Sequence, residues 1–360
     1  MAYTDIDKPT DYFNTKLYTG TGSDGNAQTG VGFQPDWVWI KERSTTNSHR
    51  LYDSIRGVNA ALISDNTNAE NQYSAYGQFE SFDSDGFTVG QGTGSPGNGA
   101  GTNANSATIV AWNWKAGTSF TNDASATGIG TIDSTGSVNT TSGFSIVSYT
   151  GTGSAGTIKH GLSTAPKMII WKNRSATASW QVYHHTLPLS SGEYQALQLN
   201  LTNVSAPFGT YNFMNATAPT STVFSLDGVP EMNGNGNSII AYCFAEKQGY
   251  SKFGSYVGNG NADGTFVYTG FKPAWVMTKI SSGTGQWGIA DNKRGVAPSG
   301  EFLFADSSGA TNSAPNNFDF LSNGFKPRAD YAAMNTSGAT YIYMAFAENP
   351  FTTSTGVPAT

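Results

Sequence analysis

The sequence predicts a nearly all-β protein of three tandem antiparallel β-sandwich domains, jelly-roll-like in their strand spacing. Three observations predict it. First, Gly32-Phe33-Gln34-Pro35-Asp36-Trp37-Val38-Trp39-Ile40-Lys41 has relatives at Ala165-Pro166-Lys167-Met168-Ile169-Ile170-Trp171-Lys172 and at Gly270-Phe271-Lys272-Pro273-Ala274-Trp275-Val276-Met277-Thr278-Lys279. Second, only 12% of the 360 residues are charged, whereas aromatics reach 13% and Gly numbers 43. Long helices normally carry Glu, Lys and Arg on their solvent face, so this composition favours sheet and turn. Third, apolar runs bounded by turn residues recur roughly every 8 to 12 residues, the spacing of a sandwich.

The chain opens with a short arm, residues 1–13, that carries Pro9, Tyr3, Tyr12 and Phe13 but no sustained period. It is expected to pack on a neighbour. The first repeat, 14–117, begins at Leu17-Tyr18-Thr19-Gly20-Thr21-Gly22-Ser23, matched by Ser148-Tyr149-Thr150-Gly151-Thr152-Gly153-Ser154 and Ser255-Tyr256-Val257-Gly258-Asn259-Gly260-Asn261. Tyr149 lies 131 residues after Tyr18 and Tyr256 lies 107 after Tyr149; the strand-ending lysines Lys41, Lys172 and Lys279 are spaced identically. Two landmarks with the same offsets establish the repeat. In each copy a proline punctuates the turn before a β-branched and aromatic run, which reads as a buried strand.

Further along, the first repeat has Arg50-Leu51-Tyr52-Asp53-Ser54-Ile55-Arg56-Gly57 and the third has Trp287-Gly288-Ile289-Ala290-Asp291-Asn292-Lys293-Arg294-Gly295; the second offers Trp180-Gln181-Val182-Tyr183-His184-His185. Turns follow at Asp85-Gly86, Asp227-Gly228 and Asn323-Gly324, dipeptides favoured where φ must be positive. Each repeat closes on a run of alternating bulky and small residues: Ile109 to Lys115, Ile239 to Glu246, and Tyr341 to Glu348. The Gly-rich run 90–101 reads as an exposed loop and a candidate for contact or mobility. Residues 118–142, rich in Ser, Thr and Gly, read as a flexible or extended linker. The second repeat (143–249) runs almost directly into the third (250–351), so those two are expected to form a fixed pair. Residues 352–360 are a C-terminal tail.

Composition also bounds function. A net charge of −6 with no Lys/Arg block removes the electrostatic basis of nucleic-acid binding. The single Cys243 excludes a disulfide framework, and its apolar neighbours make it a core thiol. No signal-peptide pattern or membrane-length apolar run is present, so synthesis in the cytoplasm without membrane insertion is expected.

The chemistry-bearing candidates are few. Adjacent strand residues point to opposite faces, so His184-His185 is not expected to grip one metal ion; a strand-edge pair with one imidazole exposed is the expectation, and His184 is a candidate surface contact. Asp83-Ser84-Asp85-Gly86 starts like a calcium loop but lacks the later acidic ligands, and reads as a turn. Asp53 with Arg56 and Asp291 with Arg294 recur at matching places, where an arginine bridging carboxylate and carbonyl groups makes a loop clamp. No paired carboxylates, nucleophile elbow or P-loop argues for catalysis, and no cofactor or metal is expected. The eight tryptophans fall on strands and read as core; Tyr73 and Tyr76, in a loop, are the aromatic candidates for stacking on a sugar or a protein partner.

Several segments together resemble a domain of bacteriophage virion proteins, particularly tail-fibre-like proteins of phages of marine bacteria and cyanobacteria. They are Met1-Ala2-Tyr3-Thr4 with Tyr12-Phe13-Asn14-Thr15, Gly30-Val31-Gly32-Phe33-Gln34-Pro35-Asp36, Ser81-Phe82-Asp83-Ser84-Asp85-Gly86-Phe87, Gly143-Phe144-Ser145-Ile146-Val147, Ala241-Tyr242-Cys243-Phe244-Ala245-Glu246 and, in the third repeat, Ala345-Phe346-Ala347-Glu348-Asn349-Pro350-Phe351. The resemblance implies a virion structural protein in a tail fibre or appendage that attaches to the host surface; the alternative is a capsid decoration or knob protein. Its implied partners are other virion proteins, copies of itself as a trimer, and a host surface glycan or protein. No heptad or triple-helical stalk accompanies the repeats.

Overall fold

The computed structural model describes residues 3–58, 60–71, 77–93, 99–190, 192–209, 211–294, 301–312 and 318–357. It is almost wholly antiparallel β-structure, as the composition predicts. Each repeat is built on four strands in the same order. An opening strand (Phe13–Thr19, Phe144–Thr150, Ser251–Val257) pairs with the closing strand (Thr108–Trp114, Ser238–Phe244, Thr340–Pro350). The closing strand pairs in turn with the proline-led strand (Trp37–Glu42, Met168–Asn173, Phe271–Ile280), and that strand with a third (Arg50–Asp53, Gln181–His184, Gly288–Asp291). Over this main sheet lies a smaller one that holds the Asp-Gly or Asn-Gly turn region: Asn26–Gln28, Gly86–Gly90 and Gln78–Asp83 in the first repeat, Gly156–Lys159 with Val223–Leu226 in the second, and Val267–Tyr268, Gly324–Pro327 and Phe318–Leu321 in the third.

The proline-led strands are buried on both faces, and the faces go to different places. Val38 and Ile40 point at the small sheet of their own repeat, where they meet Phe79, Phe87 and Val89; Ile169 with Trp171, and Val276, do the same in the other repeats. The opposite face, Trp37 and Trp39, Met168 and Ile170, Trp275 and Met277, enters one cluster shared by all three repeats. Period-2 alternation therefore separates two cores rather than core from solvent. All eight tryptophans lie below 2% exposure, and seven of them belong to the shared cluster. At its centre Trp114 meets Phe346 at 5.7 Å and Phe244 meets the same ring at 6.2 Å. Register places these three residues at equivalent points, opposite Trp37, Met168 and Trp275.

Residues 118–142 are not a linker. Thr118–Asn122 and Ser134–Asn139 pair with each other, and the latter with the opening strand of the second repeat, which extends that sheet to seven strands. The isolated apolar residues account for the order: Ile132 and Val138 are buried and Phe120 packs beside them. Between the two strands Ala124–Thr127 forms one helical turn capped by the Asp123 side chain. A Cβ at Gly136 would lie 2.2 Å from the Ile146 carbonyl oxygen, so the Gly/Ser composition serves close strand approach. The described part of the arm, residues 3–13, packs on its own chain. Ile6 joins the shared core, Thr4 Oγ1 donates to the Gln248 carbonyl at 2.8 Å, and Tyr3 OH donates to that of Gly270 at 2.5 Å.

Candidate functional surface

The repeats close into a ring through one set of contacts used three times. Lys172 Nζ donates to the Thr67 carbonyl at 3.0 Å, Lys279 to Thr202 at 3.2 Å and Lys41 to Ser308 at 3.2 Å, so each repeat reaches the one before it and the first reaches the third. The same carbonyls accept the backbone N–H groups of Ala178, Gly285 and Asn47, each at 2.9 Å. A ring N–H completes each junction: Trp180 Nε1 to Ile63 at 2.7 Å, Trp287 Nε1 to Gln198 at 2.9 Å, and His49 Nε2 to Phe304 at 2.9 Å. Trp39 Nε1 donates to His49 Nδ1 at 2.7 Å, which leaves Nε2 as the protonated nitrogen of a neutral ring. Burial pulls the pKa of all three lysines down to about 8.

The Asp–Arg pairs are loop clamps placed on these junctions. Arg56 Nε binds Asp53 Oδ2 at 2.5 Å and Arg294 Nε binds Asp291 Oδ2 at 2.6 Å, with all four side chains wholly buried. Each arginine also donates to a main-chain carbonyl, Leu51 at 3.0 Å and Ile289 at 2.9 Å. Each carboxylate then accepts a donor from a neighbouring repeat: Tyr242 OH at 2.7 Å on Asp53 and Trp112 Nε1 at 2.8 Å on Asp291.

The second repeat departs from this plan at His184, which register places where Asp53 and Asp291 stand. The residue of the third repeat matching Trp112 and Tyr242 is Met344. A thioether donates no hydrogen bond, so a carboxylate at position 184 would lack the partner it has elsewhere. The expectation of His184 as a surface contact is corrected accordingly: it has no exposure, its Nε2 lies 3.1 Å from the Tyr343 carbonyl, and its Nδ1 lies 2.8 Å from Thr186 Oγ1. Burial draws its pKa down to about 3. His185, half-buried, makes its own contact with the Phe253 carbonyl at 3.0 Å. Tyr73 and Tyr76, and residues 94–98 of the Gly-rich run, lie outside the described residues.

Three equivalent loops are held by a device that motif reading missed. Buried Asn103, Asn233 and Asn335 each accept, through Oδ1, the N–H of Thr21, Thr152 or Asn259 at 2.9, 2.9 and 3.0 Å. Their Nδ2 groups donate to the carbonyls of Ser23, Ser154 and Asn261 at 2.7, 2.6 and 2.8 Å. The tyrosines of the repeat signature bind one residue upstream, Tyr18 to Thr102, Tyr149 to Met232 and Tyr256 to Met334, at 2.6, 2.7 and 2.6 Å. The glycine two residues after each signature tyrosine leaves no room for a side chain; at Gly151 a Cβ would sit 2.3 Å from the Gly234 carbonyl oxygen.

Open clefts lie beside these loops and beyond them. One, about 760 Å³ on the first repeat, is walled by Gly22 of the latched loop and by Ser44, Thr45, Asn47, Asn105 and Ser106. Glu42 lies in its floor, already engaged by Thr45 Oγ1 at 2.5 Å and Asn47 Nδ2 at 2.6 Å. Another, about 300 Å³, holds two carboxylates, Asp123 and Asp133, a pair hidden from sequence reading inside the presumed linker. Both cap the short helix: Asp123 accepts from the Ala126 N–H at 3.0 Å and Asp133 from that of Ala124 at 2.8 Å. The Ser125 hydroxyl and the Ala126 N–H hold Asp123 below the usual carboxylate range, the opposite of what a general acid needs. A further cleft of about 240 Å³ opens on the second repeat beside Gln181 and Phe208. In the Asp83–Gly86 turn, Asp83 accepts from Ser81 and Thr88, each at 2.7 Å, and Asp85 from the Gly30 and Gly32 N–H groups at 2.9 and 2.7 Å. Among the described residues no three His, Cys, Asp or Glu side chains are grouped to hold a metal ion.

A family described as a domain of unknown function (DUF7483) matches residues 8–350. The chain belongs to that family. The match runs from the arm to the end of the last closing strand, and so takes in all three repeats and the ring they form. A search of curated proteins returned no match.

Proposed function

We propose that this chain is a structural protein of a bacteriophage virion, part of a tail fibre or tail appendage that attaches to the host surface, and that it acts by binding rather than by catalysis. The observation that carries the reading is the ring itself. Its tryptophans, lysines and Asp–Arg pairs are consumed in joining the repeats, while three Asn-latched loops are left outside on a rigid frame. Three related surfaces on one body suit multivalent attachment, in which weak sites combine through high effective concentration. The segments that resemble phage tail-fibre-like proteins support the same reading. The arm lies on its own second and third repeats, which favours the tail over capsid decoration tethered through that arm. Any assembly of copies, a trimer included, would use the outer surfaces, because the inner ones already face each other.

Immunogold labelling of purified virions tests the reading. Label on the tail is expected, at about a dozen copies per particle, as in symmetric appendages. Label over the capsid would replace the tail assignment with decoration, and virions without the protein would end both. Shortening of host surface polysaccharide by the purified chain would overturn the non-catalytic part.

A further inference from the structure

We propose that the cleft of the second repeat beside Gln181 is a saccharide-binding site. The side chain of Gln181 has no exposure, yet among the described residues neither its Oε1 nor its Nε2 has a hydrogen-bond partner. A buried carboxamide without partners costs free energy, on the order of 1–3 kcal/mol for each group, so its persistence calls for a reason. It lines a cleft of about 240 Å³ whose other walls include Ala196, Asn203, Val204, Pro207 and Phe208.

Among the described residues, comparison of the repeats shows how this position differs in the second. Register sets Gln181 opposite Trp171, Gly288 opposite Thr278 and Arg50 opposite Ile40, so these three occupy one position. In the third repeat the space above Gly288 is taken by the Phe302 ring, 2.9 Å from where a Cβ would be. The second repeat has Ala196 in place of that phenylalanine, since the bridges Ala196–Ala206 and Phe302–Asn312 are equivalent. In the first, Ala61 stands at that point and the Arg50 side chain runs beneath Gly101. Only the second repeat combines a small residue with a carboxamide, and the fold requires neither.

The backbone of the walls is fixed in advance, and because the Gln181 carboxamide is closed to solvent, a ligand reaches it only as wall side chains shift. Ala196 and Ala206 exchange backbone hydrogen bonds at 2.9 and 3.1 Å, Ser205 N–H donates to the Ser281 carbonyl at 3.1 Å, and Lys279 Nζ holds the Asn203 carbonyl at 2.8 Å. Phe208 stacks on Phe213 with centroids 5.3 Å apart. The chemistry selects a sugar. A hydroxyl both donates and accepts, so neighbouring hydroxyls satisfy the two ends of one carboxamide. The C–H face of the ring meets the Val204, Pro207 and Phe208 wall. At this size, below the roughly 300–1,000 Å³ of sites for drug-sized ligands, the cleft holds a single ring. The biological meaning of the site rests on the attachment reading; sugar binding itself does not.

Saturation-transfer NMR on the full chain with a panel of free pyranoses (glucose, galactose, mannose, rhamnose, N-acetylglucosamine and N-acetylgalactosamine) tests the site. Transfer to the ring protons of at least one is expected. Gln181→Leu, which keeps the volume, and the double variant Gln181→Gly/Ala196→Phe, which reproduces the third repeat, should each weaken it about tenfold, the loss of one net hydrogen bond or more. No transfer from the wild-type chain to any of the six, or undiminished transfer in a folded variant, overturns the proposal. If the double variant does not fold, Gln181→Leu decides. A chain absent from virions that still binds a pyranose would sink the attachment reading alone; a virion protein without transfer would sink the site alone.

Discussion

The indole N–H of Trp180 in the second repeat donates to the carbonyl of Ile63 in the first at 2.7 Å, in a contact closed to solvent. Trp287 and His49 make the same bond at the other junctions. Replacing Trp180 by Phe leaves a buried carbonyl without its donor, a cost of about 1–3 kcal/mol. The urea midpoint should fall for Trp180→Phe and for Trp287→Phe alike. An unchanged midpoint in both would mean that the ring N–H groups do not hold the junctions.

Removing one member of a buried ion pair strands the other. Arg56→Met should therefore cost about 3–5 kcal/mol, because it removes the guanidinium partner of the buried Asp53. Tyr242→Phe removes only one of the donors on that carboxylate and should cost about 1–3 kcal/mol. Chemical denaturation of the two variants checks the order, and the reverse order would contradict the clamp.

Stability should fall on the acid side of neutrality. Burial lowers the pKa of His49, takes that of His160 to about 4 and that of His184 to about 3. Unfolded imidazoles titrate near about 6.5, so below that pH the unfolded chain takes up protons that the folded one refuses, and stability is lost as pH falls toward those folded values. Around His184 the other titratable groups are His185 and Lys167. Urea midpoints between about pH 6.5 and pH 4 should decline, and His184→Gln should flatten the decline. A profile equally steep in that variant would remove His184 from the account.

On the alkaline side two sets of groups oppose each other. Lys41, Lys172 and Lys279 lose their protons near about 8 when folded but near about 10.4 when unfolded, so stability rises with pH through that window. Tyr18, Tyr149, Tyr242 and Tyr256 are raised by burial. Above about pH 10 the unfolded chain loses phenolic protons that the folded one keeps, and stability falls. A maximum between the two regimes is expected in unfolding midpoints, and a steady decline from neutrality would refute it.

The asparagine latches are testable one at a time. Asn233→Ala strips partners from the Thr152 N–H and the Ser154 carbonyl and should cost about 1–3 kcal/mol. Hydrogen exchange at the Thr152 amide should quicken, while that of the proline-led strands should not. Exchange that quickens nowhere would mean the loop is held by its backbone alone.

The strands were legible because proline, glycine and lysine punctuate each copy at the same offsets. Burial of the tryptophans was legible too, but its destination was not. Within one repeat, Trp37 and Trp39 look like the inner face of a sandwich, and nothing local says that this face meets another repeat. The signal lay further on: Asp65, Asn200 and Asp306 stand two residues before Thr67, Thr202 and Ser308, whose carbonyls the three lysines reach. Residues 118–142 misled because polar composition masks pairing when most partners are backbone atoms. His184 misled because its neighbour looked like an edge, whereas its role follows from Met344, 160 residues away.

The shared core has a consequence for synthesis. Lys41 and the Ser308 carbonyl that receives it are 267 residues apart, so the Trp-rich face of the first repeat leaves the ribosome long before the third repeat completes its cover. At about 5–20 residues per second that face waits on the order of ten seconds or more, sheltered neither by water nor by its own repeat. Truncating the chain after the second repeat would make the wait permanent, and the product should be found in inclusion bodies rather than as a smaller soluble protein.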